Sequence, residues 1–179
     1  MFERYSEAAR RVIFFARYEA AAVGSDYVEP EHVLLALLRE KSIFRMLLSD
    51  EARQQIRREI EKATPIREQP STTVDLPLSA SSKRILAYSA EEAERLGQSR
   101  ILPEHIGLGL LRGPEGLAPR LLAKHGVTVE KLRELLTSAS VPQAGSDNDS
   151  IVRSLSESFD RIARRLTPEV EPATGFRLR

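Results

Sequence analysis

The stretch Pro30-Glu31-His32-Val33-Leu34-Leu35-Ala36-Leu37-Leu38-Arg39 returns 73 residues later as Pro103-Glu104-His105-Ile106-Gly107-Leu108-Gly109-Leu110-Leu111-Arg112. The offset holds without a gap from Ser6/Ser79 to Arg39/Arg112. Arg11/Arg84, Glu19/Glu92, Ala20/Ala93 and Gly24/Gly97 also coincide. Such self-similarity at one period is the mark of a duplicated supersecondary unit.

Working outward, each copy reads as helices. Residues 6–23 open on Ser6, whose hydroxyl can cap a helix, with Glu7 in the first turn. Ala8, Val12, Phe15, Ala16 and Val23 follow the helical period, and Gly24 is a natural stop. Pro30 has the fixed φ that suits the first position of the second helix. Residues 43–48 and 51–63 read as a short third helix and a polar fourth. The second copy runs the same course from Ser79. Ile85, Tyr88, Ala93 and Leu96 form its stripe, Gly97 its stop and Pro103 its second-helix start. Residues 117–125 and 128–137 complete it, with Thr128 as a cap. No segment shows the alternation of a strand. The expected fold is therefore all-α: two tandem four-helix repeats with pseudo-twofold symmetry, plus a C-terminal amphipathic helix.

The segments divide as repeat one (1–63), a proline-rich linker (64–77), repeat two (78–139), a small polar linker (140–150), an amphipathic helix (151–167) and a tail (168–179). Within 151–167, Ile151, Leu155, Phe159, Ile162 and Leu166 share one face, with Arg153, Arg161, Arg164 and Arg165 elsewhere. Five apolar side chains need burial: the helix folds back on the bundle, pairs with its copy in a homodimer or fills a partner's groove, and contact with another protein surface is the expectation.

Several function classes are excluded or disfavoured by composition. With no cysteine, disulfides, thiolate metal sites and thiol catalysis drop out. Net charge is +1, which gives the whole chain no electrostatic case for nucleic acid. No apolar run spans a bilayer, and Met1 to Glu7 lacks the apolar core of a secretory signal. No membrane partner and a cytoplasmic address are the expectation. His32, His105 and His125 lack metal-ligand spacing, so neither metal nor cofactor is expected. The serines lack a nucleophile-elbow context, so no catalytic residue is assigned.

The duplicated units resemble the N-terminal domain of the Clp ATPases, most closely the ClpC and ClpA types. The resemblance rests on Phe2, Tyr5-Ser6-Glu7, Ala20, Gly24, Glu31-His32, Leu34-Leu35 and their counterparts Ser79, Ala93, Gly97, Glu104-His105 and Leu108 to Leu111, and covers about residues 2–137. It implies a pseudo-twofold bundle of eight helices that receives adaptors and substrates. In ClpC-type members it further implies binding of phosphorylated arginine. There the glutamate of Glu-His meets the guanidinium, and the start of each repeat's first helix meets the phosphate. The matching residues are Glu31 and Glu104 with Ser6 and Ser79. The family usually carries Gly-Thr before Glu-His, where this chain has Glu29-Pro30 and Leu102-Pro103. No G-x-x-x-x-G-K-[ST] loop occurs, and none of the five lysines follows a glycine. The expectation is a free-standing, non-enzymatic docking domain rather than a motor. Its partners would be Clp adaptors, substrates or ATPase subunits, and it could also compete for substrates with the full unfoldase.

Two readings stand for each singled-out acid. Glu31 and Glu104 either complement a helix dipole or accept a guanidinium in two hydrogen bonds. Glu19 and Glu92 are either solvated or hydrogen-bonded to His32 and His105, forming a structural Glu–His pair in each repeat. The alternative to a Clp docking domain is a small helical regulator unrelated to proteolysis, associated with DNA through the arginines of 151–166. Glu157 and Asp160 interrupt that basic patch.

Overall fold

A computed structural model describes residues 3–64, 76–113 and 115–138. Eight helices follow in order: α1 (Glu7–Ala22), α2 (Pro30–Arg39), α3 (Phe44–Leu47), α4 (Asp50–Ala63), α5 (Ala80–Arg95), α6 (Pro103–Arg112), α7 (Leu117–Lys124) and α8 (Val129–Ser138). Among the described residues all regular structure is helical, apart from two isolated β-bridges. The two four-helix repeats and the all-α fold are as the 73-residue period predicts.

Local chemistry sets the helix ends. Ser6 Oγ accepts from Ala9 N–H at 3.1 Å, and Ser79 Oγ accepts from Ser82 N–H at 3.1 Å. Ser49 and Thr128 do the same for α4 and α8. Each first helix ends on its glycine in the left-handed region, Gly24 at φ 67° and Gly97 at φ 68°. There the following N–H bridges back five residues, Ser25 to Ala20 O and Gln98 to Ala93 O, closing the same terminal loop in both copies.

The repeats share one core. Leu34, Leu37, Ile43, Phe44, Ile56 and Ile60 of the first copy and Ile85, Ile101, Ile106, Leu108 and Leu110 of the second are fully buried in it. α2 packs against α5, α6 and α7, and α1 against α6, so the copies interlock. Phe44 reaches across: a Cβ on Gly107 would lie 2.2 Å from its ring. Gly109 brings α6 onto α5, where a Cβ would lie 2.3 Å from Ile85 O.

The two bridges tie the start of each first helix to the other copy. Ser6 N–H donates to Ile101 O at 2.9 Å and Ile101 N–H to Arg4 O at 2.8 Å. Their mates one period on are Ser79 N–H to Val28 O at 3.1 Å and Val28 N–H to Pro77 O at 2.9 Å. Identical pairings at the 73-residue offset are the signature of a pseudo-twofold axis between the repeats.

Candidate functional site

Pro-Glu-His is first a helix start. Pro30 and Pro103 occupy the first helical position, where a missing N–H costs nothing. The histidine, three residues past the cap, folds back onto it. His32 Nδ1 accepts from Glu29 N–H at 3.0 Å, and His105 Nδ1 from Leu102 N–H at 2.9 Å. Imidazole here does what Glu or Gln does in a capping box. Accepting requires an unprotonated Nδ1. Burial lowers the pKa of both histidines, His105 to about 4, against the opposing charge of Glu92.

The expected Glu–His pairs are not formed. Both Nε2 atoms are buried without a hydrogen-bond partner. The glutamates instead hold arginines. Glu92, fully buried, accepts from Arg112 Nη1 at 2.7 Å and from Arg133 Nε and Nη2 at 2.9 and 2.6 Å. Burial pushes its carboxyl up, but the Arg133 hydrogen bonds and the Arg133, Arg112 and Arg95 charges outweigh that and leave it below the usual carboxylate range. Glu19 meets Arg57 at 3.4 Å and Arg39 at 3.8 Å. A buried acid is better compensated by permanent cations than by a neutral imidazole. These arginine partners are not marked by any spacing along the sequence. Arg39 and Arg112 close the duplicated stretch and were visible as a pair; Arg57 and Arg133 lie three positions out of the 73-residue register.

Ser6 and Ser79 stand where the two repeats meet. The interlock crosses them. The start of α1, with Ser6, lies beside Ile101 at the start of α6, and the start of α5, with Ser79, beside Val28 at the start of α2. Each serine thus stands beside the helix start that carries the other repeat's Pro-Glu-His.

The two junctions are also unequal. Around α2, Glu29, Pro30 and Glu31 are half-buried. Around α6, every residue from Ile101 to Leu110 is buried, and Glu104 is 2% exposed. Glu104 Oε1 accepts from Ile43 N–H at 3.2 Å, while its Oε2 is buried without a hydrogen bond. Burial raises its pKa, backbone hydrogen bonds oppose that, and nearby Glu40 adds to it. Glu104 therefore serves the joint between the repeats and is closed to a ligand in this conformation. The helix starts differ too. α1 has Glu7 in its first turn, whereas α5 has no acid there. An α5 start without a carboxylate, next to half-exposed Glu31, can take an anion and a cation side by side.

No cluster of three or more potential metal-ligating residues occurs among the described residues, and none of their helices is long and apolar enough to cross a membrane. The expected partner helix, with Ile151, Leu155, Phe159, Ile162 and Leu166, lies outside the described residues.

Two matches to the profile of the Clp repeat (R) N-terminal domain cover residues 4–101 and 77–171. The chain is 33% identical to the chaperone protein ClpB of Oceanobacillus iheyensis over 98% of its own length and 23% of that protein's. It is 33% identical to the negative regulator of genetic competence ClpC/MecB of Bacillus subtilis, over 93% of its own length and 21% of the relative's. The chain thus spans about a fifth of the length of these curated relatives. Among solved structures, the N-terminal domain of the ClpD chaperone of Arabidopsis thaliana matches with a TM-score of 0.59 at 31% identity, covering 75% of this chain and 92% of that one. Profile, relatives and fold agree, and the chain belongs to the Clp repeat (R) N-terminal domain family.

Proposed function

We propose that the chain is a non-catalytic protein-docking module of a Clp unfoldase or protease system. It receives adaptors or substrates, including proteins phosphorylated on arginine, either as part of such a machine or in competition with one. The observation that carries the reading, in a chain of this family, is half-buried Glu31 at the start of α2, where Val28 is bonded to Ser79 at the start of α5. Half-exposed Glu31 supplies a carboxylate for a guanidinium. The acid-free start of α5, capped by Ser79, supplies N–H groups for a phosphate, with Lys83 and Arg84 exposed in the following turn. The mate at Ser6 and Glu104 contributes nothing while Glu104 stays buried. A DNA-associated role rests on the arginines of residues 151–166, which lie outside the described residues, and no observation favours it.

Calorimetric titration with an arginine-phosphorylated peptide tests this. One peptide should bind per chain. Glu31→Ala should weaken it by roughly 1.5–3 kcal/mol, the worth of charge-assisted hydrogen bonds, with little change in melting temperature. A wild-type chain without affinity, or a Glu31→Ala variant that binds as well, removes the site. Incubation with ATP should yield no turnover; hydrolysis abolished by a point substitution in this chain would overturn the non-catalytic reading.

A further inference from the structure

Two glutamates of the second repeat are sealed from water, and they are kept in opposite ways. Glu92 is gripped by Arg112 and Arg133. Among the described residues no cation pairs with Glu104. Its polar contacts are the Ile43 N–H, which donates to Oε1 at 3.2 Å, and its own backbone N–H. Oε2 is buried without a hydrogen-bond partner. A carboxylate taken out of water in this way is costly unless cations offset the loss of hydration; holding a proton is the alternative.

The charges packed around Glu104 do not offset it. From the end of α2, Glu40 is itself buried, and its charge opposes ionisation. From α1, Arg11 is committed to Glu40 at 2.9 and 3.2 Å and to Glu7 at 2.9 Å. On α6 itself, His105 is neutral while its Nδ1 accepts from Leu102 N–H. Arg133 of α8 is spent on Glu92 of α5. The other charged side chains of α5, α7 and α8, and Lys41 beside Glu40, are exposed.

Glu104 also holds something that can move. Ile43, whose N–H it accepts, opens the short helix α3, and the next residue, Phe44, lies over Gly107 of α6. One polar and one apolar contact thus pin the α2–α3 corner of repeat one onto repeat two. The other copy has no such corner: 73 residues on, Ile43 and Phe44 become Gly116 and Leu117, and Glu31 is half-buried. We infer that Glu104 is a proton-held latch: as a neutral acid it pins the α2–α3 corner to α6, and on losing its proton it turns to water, releases that corner and loosens the joint between the repeats. The closed corner holds one more proton than the open one. Its stability is therefore fully present below the ordinary carboxylate value and is lost as pH rises through the raised value of Glu104. The latch does not depend on the docking reading.

The full chain, isotope-labelled on its backbone nitrogens and glutamate carboxyls, is followed by NMR from about pH 5 to about pH 9, a span in which buried glutamates titrate. The Glu104 carboxyl should begin protonated and ionise within the span, while that of Glu92 is ionised throughout. Exchange of the Ile43 amide reads the corner. The reference is Glu104→Gln, which can still accept from Ile43 but has no proton to lose. Relative to it, the open population in wild type should grow by up to about tenfold per pH unit until Glu104 has titrated. If the variant does not fold, the amide of Ile85, outside the corner, is the reference. A Glu104 carboxyl already ionised at the lowest pH overturns the proposal. So does one that ionises while Ile43 exchange keeps pace with the reference, because Arg11 would then have changed partners with the corner still closed.

Discussion

A histidine that caps a helix through Nδ1 works only while neutral, and that makes His105, like His32, an acid-sensitive residue of the fold. Its folded pKa is lowered to about 4 from 6.5, so the folded state binds fewer protons than the unfolded chain between those values. Its contribution is present above pH 6.5 and is lost as pH falls towards 4. At 1.36 kcal/mol per pH unit the full loss is about 3 kcal/mol, and His32 shifts in the same direction. Buried Glu104, with its raised pKa, tilts the other way, losing stability as pH climbs above the ordinary carboxylate range. Urea denaturation at pH 7 and pH 5 should show the drop, and His105→Gln should flatten it; an unchanged slope would remove the histidine as its cause. The Pro-Glu-His motif was legible as a helix start from Pro30 and Pro103 alone. That its histidine closes the cap was implicit in the spacing of three from Glu29 and Leu102. The burial of Glu104 was not legible, because Ile43, which covers it, comes from the other repeat.

Between elements, the same side chains carry unequal loads in the two copies. Glu92 is sealed and gripped at 2.6–2.9 Å by Arg112 from α6 and Arg133 from α8. Glu19 is held at 3.4–3.8 Å by arginines that are themselves exposed. Removing one partner of a buried pair strands the others, so Glu92→Ala should cost about 3–5 kcal/mol. Glu19→Ala should cost clearly less, and equal losses in denaturant titrations would contradict this ranking. Gly109 offers a second test. Alanine there gains about 1 kcal/mol of helix propensity, but its Cβ meets the α5 backbone, where overpacking costs about 1–3 kcal/mol. Gly109→Ala should therefore destabilise on balance; a stabilised variant would show that α6 can shift away from α5. The apolar stripes and stop glycines gave these helices away in sequence. Their charged locks did not appear, because a contact between helices leaves no periodic trace along one of them.

The whole molecule is a pseudo-twofold pair whose halves complete each other. Tyr5 pairs with Ile101, Val28 with Leu78, and Phe44 lies over Gly107. A unit of about 60 residues is marginal on its own, and each half here would also lose its bridge partners. Residues 1–64 and 76–138 made as separate fragments should lack cooperative melting in far-UV circular dichroism and regain it when mixed; two independently cooperative fragments would refute the interlock. The period of 73 residues made the duplication legible from sequence, but not the crossing, since a repeat pattern is silent on which copy supplies a neighbour. That crossing joins Ser79 to the start of α2, where Glu31 is half-buried, and Ser6 to the start of α6, where Glu104 is buried. The most direct measurement of this claim is a map of backbone amide shifts on titration with an arginine-phosphorylated peptide. Changes are expected at Ala80 to Ser82 and at Glu29 to His32, with Glu7 to Ala9 and Leu102 to His105 unmoved. Equal changes at both junctions, or changes at neither, would contradict it.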